Sequence, residues 1–211
     1  MQYLRNLLNK LRFSAFPRLI TDGLKHVGIV IVPYHLYRRS VADTYRAPPD
    51  DSHADFVELF DDDMAAIAGL PMVPGSEAFF RGLLAEGQRC FGLRLDDQLV
   101  GFCWMDPREC HVHGAHFELG EAEAYAHDIF TVPGYRGRAV APLLNAYFSA
   151  LLVELGVETV YSVIDVFNRP SRNFAAKIGC QPVRLVLYFS VFGVLERSVT
   201  LKRLSGDEFD A

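Results

Sequence analysis

The stretch Asp128-Ile-Phe-Thr-Val-Pro-Gly-Tyr-Arg-Gly-Arg-Ala-Val-Ala141 decides how the chain is read. An apolar strand runs into Pro133-Gly134. A short basic turn follows, Arg136-Gly137-Arg138, and a helix opens with Pro142 in its first turn. The first N–H groups of a helix have no intrahelical partner and carry a partial positive charge. A small-residue turn feeding such a helix is therefore an anion site. Downstream, Leu144, Phe148 and Leu152, with Tyr147, Leu151 and Leu155, give the helix a wide apolar face. Gly156 is its natural stop.

Upstream of this stretch, Arg89–Leu95 and Leu99–Met105 read as two strands joined by a tight turn at Asp96-Asp97-Gln98. Before them, a short strand near Asp55–Leu59 leads to Asp61-Asp-Asp63 at the start of a helix through Ala68, where the helix dipole favours carboxylates. Ser76-Glu77 caps a second helix that ends near Gly87. Asp106 to Glu121 reads as a polar loop, and Tyr125–Thr131 as the strand entering the opening stretch. Beyond Gly156, Thr159–Val166 reads as a strand and Asn168-Arg-Pro-Ser171 as the start of a helix ending at Gly179. Gln181–Phe192 and Leu195–Leu201 read as two closing strands around Gly193. Hairpins mixed with strand–helix–strand units argue for an α/β protein with a central mixed, twisted sheet. About six to seven strands would be flanked by about four helices, with an N-terminal extension.

The 211 residues suit one domain with an extension: residues 1–48 as the extension, 49–204 as the domain and 205–211 as a tail. Ala47-Pro-Pro-Asp-Asp-Ser52 marks the boundary as a linker. Within the extension, Leu4, Leu7, Leu8, Leu11 and Ala15 fall at helical spacing with basic residues between them, and Gly28 to Val41 reads as an extra strand. Up to Pro48 the chain carries Arg5, Lys10, Arg12, Arg18, Lys25, Arg38, Arg39 and Arg46 against Asp22 and Asp43. That balance of +6 leaves −11 for the remainder of a chain whose total is −5. Two readings stay open for residues 1–17: peripheral contact with an anionic membrane surface, or packing on the acidic body. The early apolar run from Val27 to Val32 is too short for a membrane span or a signal peptide core. Cys90, Cys103, Cys110 and Cys180 form no CxxC pair, so free thiols in a reducing, cytoplasmic compartment are expected, with the inner membrane face as the peripheral site.

Two motifs together resemble the GNAT superfamily of acetyl-coenzyme A-dependent N-acetyltransferases. The likeness covers roughly Asp55 to Leu201. It is strongest in Asp128–Ala141 and in Asn168-Arg-Pro-Ser-Arg-Asn-Phe-Ala-Ala-Lys-Ile-Gly-Cys180. The family's cofactor signature, Arg/Gln-x-x-Gly-x-Gly/Ala, reads here Arg136-Gly137-Arg138-Ala139-Val140-Ala141, with Ala139 in place of the middle glycine. Alanine stays small but is strained wherever φ must be positive. The resemblance implies that Arg136, Gly137, Arg138, Ala139, Val140 and Ala141 cradle the coenzyme A pyrophosphate. It also implies that backbone groups of Phe130 and Thr131 hold the pantetheine arm. Asn168 is expected to bond that arm or to cap its helix, and Ser171 to contact cofactor or help cap. Lys177-Ile178-Gly179 matches the family's Lys-Leu-Gly, and Cys180 replaces the usual Phe.

Acetyl transfer needs a base for the acceptor amine, a polarised carbonyl and a departing thiolate. Asp128 sits where polyamine-type members place an acidic residue, and it is the candidate base. His127 is the second candidate, although strand alternation sends the two side chains to opposite faces. The family's proton donor, a Tyr four residues before the Gly, is Ala175 here. Tyr161 and Tyr125 are the alternative donors, with core packing as the competing role. A thiolate of pKa about 8.5 can also leave unprotonated. The tract Cys110-His-Val-His-Gly-Ala-His116 lacks compact zinc-knuckle spacing, so no metal is expected and a substrate-side loop fits it better. Arg38-Arg39 carries no base-reading motif, and no nucleic acid partner is expected.

The expected activity is direct acetyl transfer from acetyl-coenzyme A to a primary amine of a small molecule. The basic arm and extra strand resemble members associated with cell-envelope polysaccharide synthesis, which makes an amino sugar or envelope precursor the first expectation. Two alternatives stand: a coenzyme A-binding regulatory module with weak turnover, motivated by Ala139 and Ala175, and an acyltransferase using a longer donor. Either a monomer or a homodimer is compatible with the sequence.

Overall fold

A computed structural model describes Leu24 and residues 26–49, 53–112 and 115–204. The expected amphipathic helix at residues 1–17 and the tail at 205–211 lie outside the described residues. In chain order the elements are β1 (Ile29–Ser40), α1 (Val41–Thr44), β2 (Ala54–Leu59), a 3-10 turn (Asp61–Asp63), α2 (Met64–Ala68) and α3 (Glu77–Ala85). There follow β3 (Arg89–Leu95), β4 (Gln98–Asp106), β5 (Glu109–Val112), β6 (Ala115–Glu118) and β7 (Glu123–Thr131). After a second 3-10 turn (Pro133–Tyr135) come α4 (Val140–Glu154), β8 (Thr159–Asp165), α5 (Arg169–Lys177), β9 (Gln181–Val191) and β10 (Leu195–Arg203). The mixed sheet and flanking helices expected from the sequence are present. The segment expected as a polar loop between Asp106 and Glu121 instead contains β5 and β6. His113 and Gly114 lie outside the described residues.

The described chain forms two compact units. One comprises residues 39–110 and 117–162, the other the rest. In the first unit the strand order is β8-β7-β4-β3-β2. β7 pairs with β8 in parallel and with β4 antiparallel, which makes this sheet mixed. Asp96 (φ 47) and Asp97 (φ 64) give the β3–β4 turn the two positive φ angles of a primed hairpin, whose twist matches that of the strands. Alternation sorts the two cores. Phe91, Cys103 and Met105 pack with Val140, Leu144, Phe148 and Leu152 of α4. Cys90, Phe102 and Trp104 pack with Met64, Ile67 and Phe80 from α2 and α3. Helices therefore cover both faces, and β4 is buried without interruption from Val100 to Asp106. Truncating Phe148 to Ala would remove a fully buried ring at a cost of about 3–5 kcal/mol.

The expected Ser76 cap is made, with Ser76 Oγ accepting from Phe79 N–H (3.2 Å); Asp63, one of the carboxylates expected at the preceding helix start, accepts from Phe60 N–H (2.9 Å); and Gly156 (φ 73), the expected stop of α4, donates to Val153 O (3.1 Å). Arg39, counted with the basic extension, is buried in this unit. Its guanidinium donates to Ser149 Oγ of α4 (3.0 Å) and Thr44 Oγ1 (3.3 Å). Part of the basic excess therefore serves packing.

In the second unit β1, β9 and β10 form antiparallel ladders, with Tyr34 opposite Val186 and Tyr188 opposite Ser198. The extra strand expected from Gly28 to Val41 is thus β1. Phe192 (φ 53) and Gly193 (φ 67) make the β9–β10 turn. A small cluster of Tyr37, Ala175 and Cys180 seats α5 on this unit, with Ile164 and Ile178 at its edge. Among the described residues, no helix is long and apolar enough to cross a membrane.

Candidate active site on strand β7

β7 is not a regular strand. Phe130 lies opposite Phe102, but His127, not Asp128, lies opposite Trp104. Asp128 and Ile129 therefore share the single partner position of Cys103, which is a β-bulge, and Asp128 adopts φ 48. An aspartate tolerates the left-handed region better than most side chains. The bulge breaks the alternation that would place His127 and Asp128 on opposite faces. His127 Nδ1 stands 3.3 Å from Asp128 Oδ2. The expectation of opposed side chains is therefore corrected: period-two alternation holds only while each residue has its own partner.

His127 is held on three sides. Its Nε2 is 2.8 Å from Oε1 of the buried Gln88, and its ring stacks on Tyr125 (5.1 Å between centroids) and Trp104 (6.3 Å). With the Gln88 oxygen as acceptor, Nε2 carries the hydrogen. Nδ1 then faces the carboxylate with a lone pair, or with a second proton if the ring is charged. His127 is 16% exposed and Asp128 55%, so the carboxylate is the solvent-facing member.

Asp128 lies at a cavity of about 220 Å³, whose walls are Phe79 and Phe80 of α3, Phe102 of β4, Ile129 and Phe130 of β7, and the Pro74–Gly75 loop. The rings form a continuous wall. Phe79 meets Phe80 edge-on at 5.4 Å, Phe80 meets Phe102 at 6.3 Å, and Phe102 stacks on Phe130 at 5.3 Å. The sequence reading missed this cavity. Its only local signal was the Phe79-Phe80 pair behind the Ser76 cap, and nothing in the sequence shows that Phe102 and Phe130 face that pair.

Three residues beyond Asp128, β7 ends at Thr131, and the 3-10 turn Pro133–Tyr135 leads into the basic turn. Gly101 opposes Thr131, and a Cβ on Gly101 would come within 2.8 Å of Phe130 O, so a glycine is needed for this approach of the two backbones. Arg136 Nε donates to Thr131 O (3.2 Å) while its guanidinium lies 5.8 Å from the Phe130 ring. Arg138 lies 5.6 Å from the Tyr135 ring, and Tyr135 Oη donates to Gln98 Oε1 (2.6 Å). Gly137 has φ 79, and no heavy atom lies within 4 Å of where its Cβ would sit. Ala139 adopts φ 59 as the N-cap of α4, so the positive φ that the missing glycine suggested is indeed required there. The first intrahelical bond of α4 runs from Leu143 N–H to Ala139 O (3.0 Å). The N–H groups of Val140 and Ala141 precede that ladder and are left for an external acceptor.

The sequence model of the acetyltransferase (GNAT) family matches residues 49–180. The chain belongs to the GNAT acetyltransferase family. Solved structures repeat the fold. A Drosophila protein superposes with TM-score 0.57 at 17% identity over 85% of this chain and 58% of its own. A tandem GNAT protein from the clavulanic acid biosynthesis pathway gives 0.56 at 18% over 77% and 54%. A GNAT-family protein from Novosphingobium aromaticivorans gives 0.53 at 20% over 76% and 65%. This chain thus spans between 54% and 65% of the length of those proteins. No curated protein matches the sequence.

The remaining candidates of this GNAT domain sit elsewhere. Tyr161 is opposite Tyr125 in the β7–β8 ladder, is 4% exposed and donates from Oη to Glu123 Oε1 (2.9 Å). The register puts it three residues upstream of Asp128, and it does not line the cavity. In the second unit, Asn168 Oδ1 accepts from Ser171 N–H (3.2 Å), which makes Asn168 the N-cap of α5. Ala175 is 2% exposed and packs with Tyr37, so a tyrosine at that position would need the space Tyr37 fills. All four cysteines are buried, and burial pushes the thiols of Cys90, Cys103 and Cys110 well above the ordinary range. None of those three supplies a thiolate nucleophile.

Proposed function

We propose that this GNAT protein transfers an acetyl group from acetyl-coenzyme A directly to the primary amine of a small molecule. One observation carries the reading: the β7 bulge sets the Asp128 carboxylate at a half-open, aromatic-walled cavity, on the strand that leads through the 3-10 turn Pro133–Tyr135 into the basic turn and the start of α4. The turn suits a pyrophosphate. Two first-turn N–H groups, the open space beside Gly137 and the small side chains of Ala139 and Ala141 allow backbone to approach phosphate oxygens. The β7–β8 ladder comprises Glu123–Tyr125 and Thr159–Tyr161. The end of β7 that holds Phe130 and Thr131 lies outside it, where an amide-bearing arm can add as a strand does.

When bound, the cofactor supplies the acetyl thioester. Asp128 draws the ammonium of the acceptor to the cavity mouth and takes its proton, directly or through one water. His127 holds the carboxylate from the side, and a proton shared between Nδ1 and Oδ2 stays within the pair. The freed amine nitrogen forms the new C–N bond as the C–S bond breaks and sulfur departs with the electron pair. With Ala175 in place of a tyrosine, the sulfur leaves as thiolate. An amino sugar, the first expectation, would bring hydroxyls to walls where, among the described residues, Asp128 is the sole side chain able to hydrogen-bond.

The experiment is a thiol-release assay with acetyl-coenzyme A over a panel of amines. Turnover of a primary amine with sequential kinetics supports the reading. Tight coenzyme A binding without turnover on any amine would establish a regulatory module instead.

A further inference from the structure

The cavity beside Asp128 has a chemistry of its own, and it narrows the acceptor. Its side walls are four phenylalanine rings and Ile129, and among the described residues its single charged group is the Asp128 carboxylate. Phe80 and Phe102 are 2% exposed and form the floor, whereas Phe79 at 50% and Ile129 at 38% form the rim. The floor is fixed. A Cβ on Gly75 would sit 2.4 Å from the Phe80 ring, so the 74–75 loop packs flat against that ring, and the Phe80 ring also stacks on Trp104 at 5.9 Å. A wall of this kind does not rearrange to offer hydrogen bonds.

Size follows from comparison. An engineered apolar cavity of roughly 150 Å³ holds benzene. The present volume of about 220 Å³ has room for one ring and a short alkyl arm. Charge fixes the direction of binding. An ammonium at the end of that arm meets Asp128, and the ring lies among Phe79, Phe102 and Phe130, where offset and edge contacts are favourable. A polyhydroxylated ring would bury hydroxyls without partners, and a polyamine would leave further ammonium groups facing aromatic walls.

We propose that the acceptor is a primary amine with a single compact apolar body, an arylalkylamine or a short alkylamine, bound with its body in the Phe79–Phe102–Phe130 cavity and its nitrogen at Asp128. This rests on the transfer reading above. The same cavity could instead receive the tail of a longer acyl donor, but a carboxylate at the mouth favours a cation over an acyl chain.

The test compares phenethylamine, hexylamine, glucosamine and spermidine as acceptors for the full chain with saturating acetyl-coenzyme A. Expected is a kcat/KM for phenethylamine or hexylamine at least about a hundredfold above that for glucosamine. Phe79→Ser, at an exposed rim position, should raise the KM for phenethylamine about tenfold and leave that for acetyl-coenzyme A unchanged. Glucosamine or spermidine used as well as phenethylamine would overturn the assignment while leaving acetyl transfer intact. A Phe79→Ser effect confined to the KM of octanoyl-coenzyme A would overturn it in favour of the acyl tail. If no amine turns over, calorimetry with phenethylamine decides. Binding that is lost in Phe79→Ser and Asp128→Asn keeps the cavity assignment and removes only the transfer step, and no binding overturns both.

Discussion

His127 Nδ1 lies 3.3 Å from Asp128 Oδ2 although the two residues are consecutive in a β-strand. The contact exists because Asp128 takes φ 48 inside a bulge opposite Cys103. It turns one strand position into a pair of groups able to share a proton, with Gln88 Oε1 2.8 Å from the far side of the imidazole. Asp128→Asn keeps the shape and the tolerance for positive φ. It should lower kcat about a hundredfold, flatten the pH profile and leave the KM for acetyl-coenzyme A unchanged. Wild-type rates across pH would remove Asp128 from the mechanism.

Ala139 occupies a position that favours glycine. Left-handed backbone costs a non-glycine residue about 1–2 kcal/mol, and the extra unfolded-chain freedom of a glycine costs about 0.4–1 kcal/mol. Ala139→Gly should therefore stabilise the protein by about 0.5 kcal/mol, read as a small rise in Tm. Gly137→Val should act differently. It places a branched side chain in open space at φ 79 and should raise the KM for acetyl-coenzyme A at least about tenfold, whereas unchanged cofactor affinity would remove the turn from the binding site.

Gly101 sets the spacing of β4 and β7 just beyond the bulge. A methyl there would meet Phe130 O at 2.8 Å, a backbone atom that moves only with its strand. Gly101→Ala should cost about 1–3 kcal/mol in urea denaturation and lower kcat/KM as well. Loss of stability with untouched kinetics would show that the end of β7 tolerates displacement.

Glu58 of β2 receives Arg89 Nε and Nη2 at 2.7 and 2.8 Å. The hydrogen bond from Arg89 is the main cause of a carboxyl pKa below its usual 4.5. Because the folded-state value is the lower one, the pair contributes stability above pH 4.5 and loses it as pH falls through the folded value. Glu58→Gln should destabilise by about 1 kcal/mol near neutrality, since the pair is partly exposed. Its denaturation midpoint should converge on that of the wild type in acid.

The four cysteines are buried, and none of Cys90, Cys103 and Cys110 is activated. Native protein treated with iodoacetamide at neutral pH should retain activity, and initial-rate patterns should intersect, as expected for a ternary complex. Parallel patterns with a trapped acyl-enzyme would refute direct transfer.

Much of the fold was legible because its signals are local. The Ser76 cap, the Asp96-Asp97 turn, the apolar face of α4 and the turn Arg136–Ala139 each depend on residues within one or two helical turns of each other. The positive φ at Ala139 could be anticipated from a glycine missing from its pattern. The site was less legible, because its parts come from distant positions. The bulge needs one β4 residue to face two of β7, a matter of register that alternation along β7 alone cannot reveal. Gln88 reaches His127 from across the sheet, and Phe80 of α3 meets Phe102 of β4 only once the helix packs on that face. Tyr161 shows the converse. Its sequence position allowed a proton donor, but the parallel ladder turns it toward Glu123 and away from the cavity. Local sequence determined the secondary elements and the basic turn before α4. Tertiary pairing decided which side chains share the cavity, because side-chain proximity across a sheet depends on register and packing rather than on spacing along the chain.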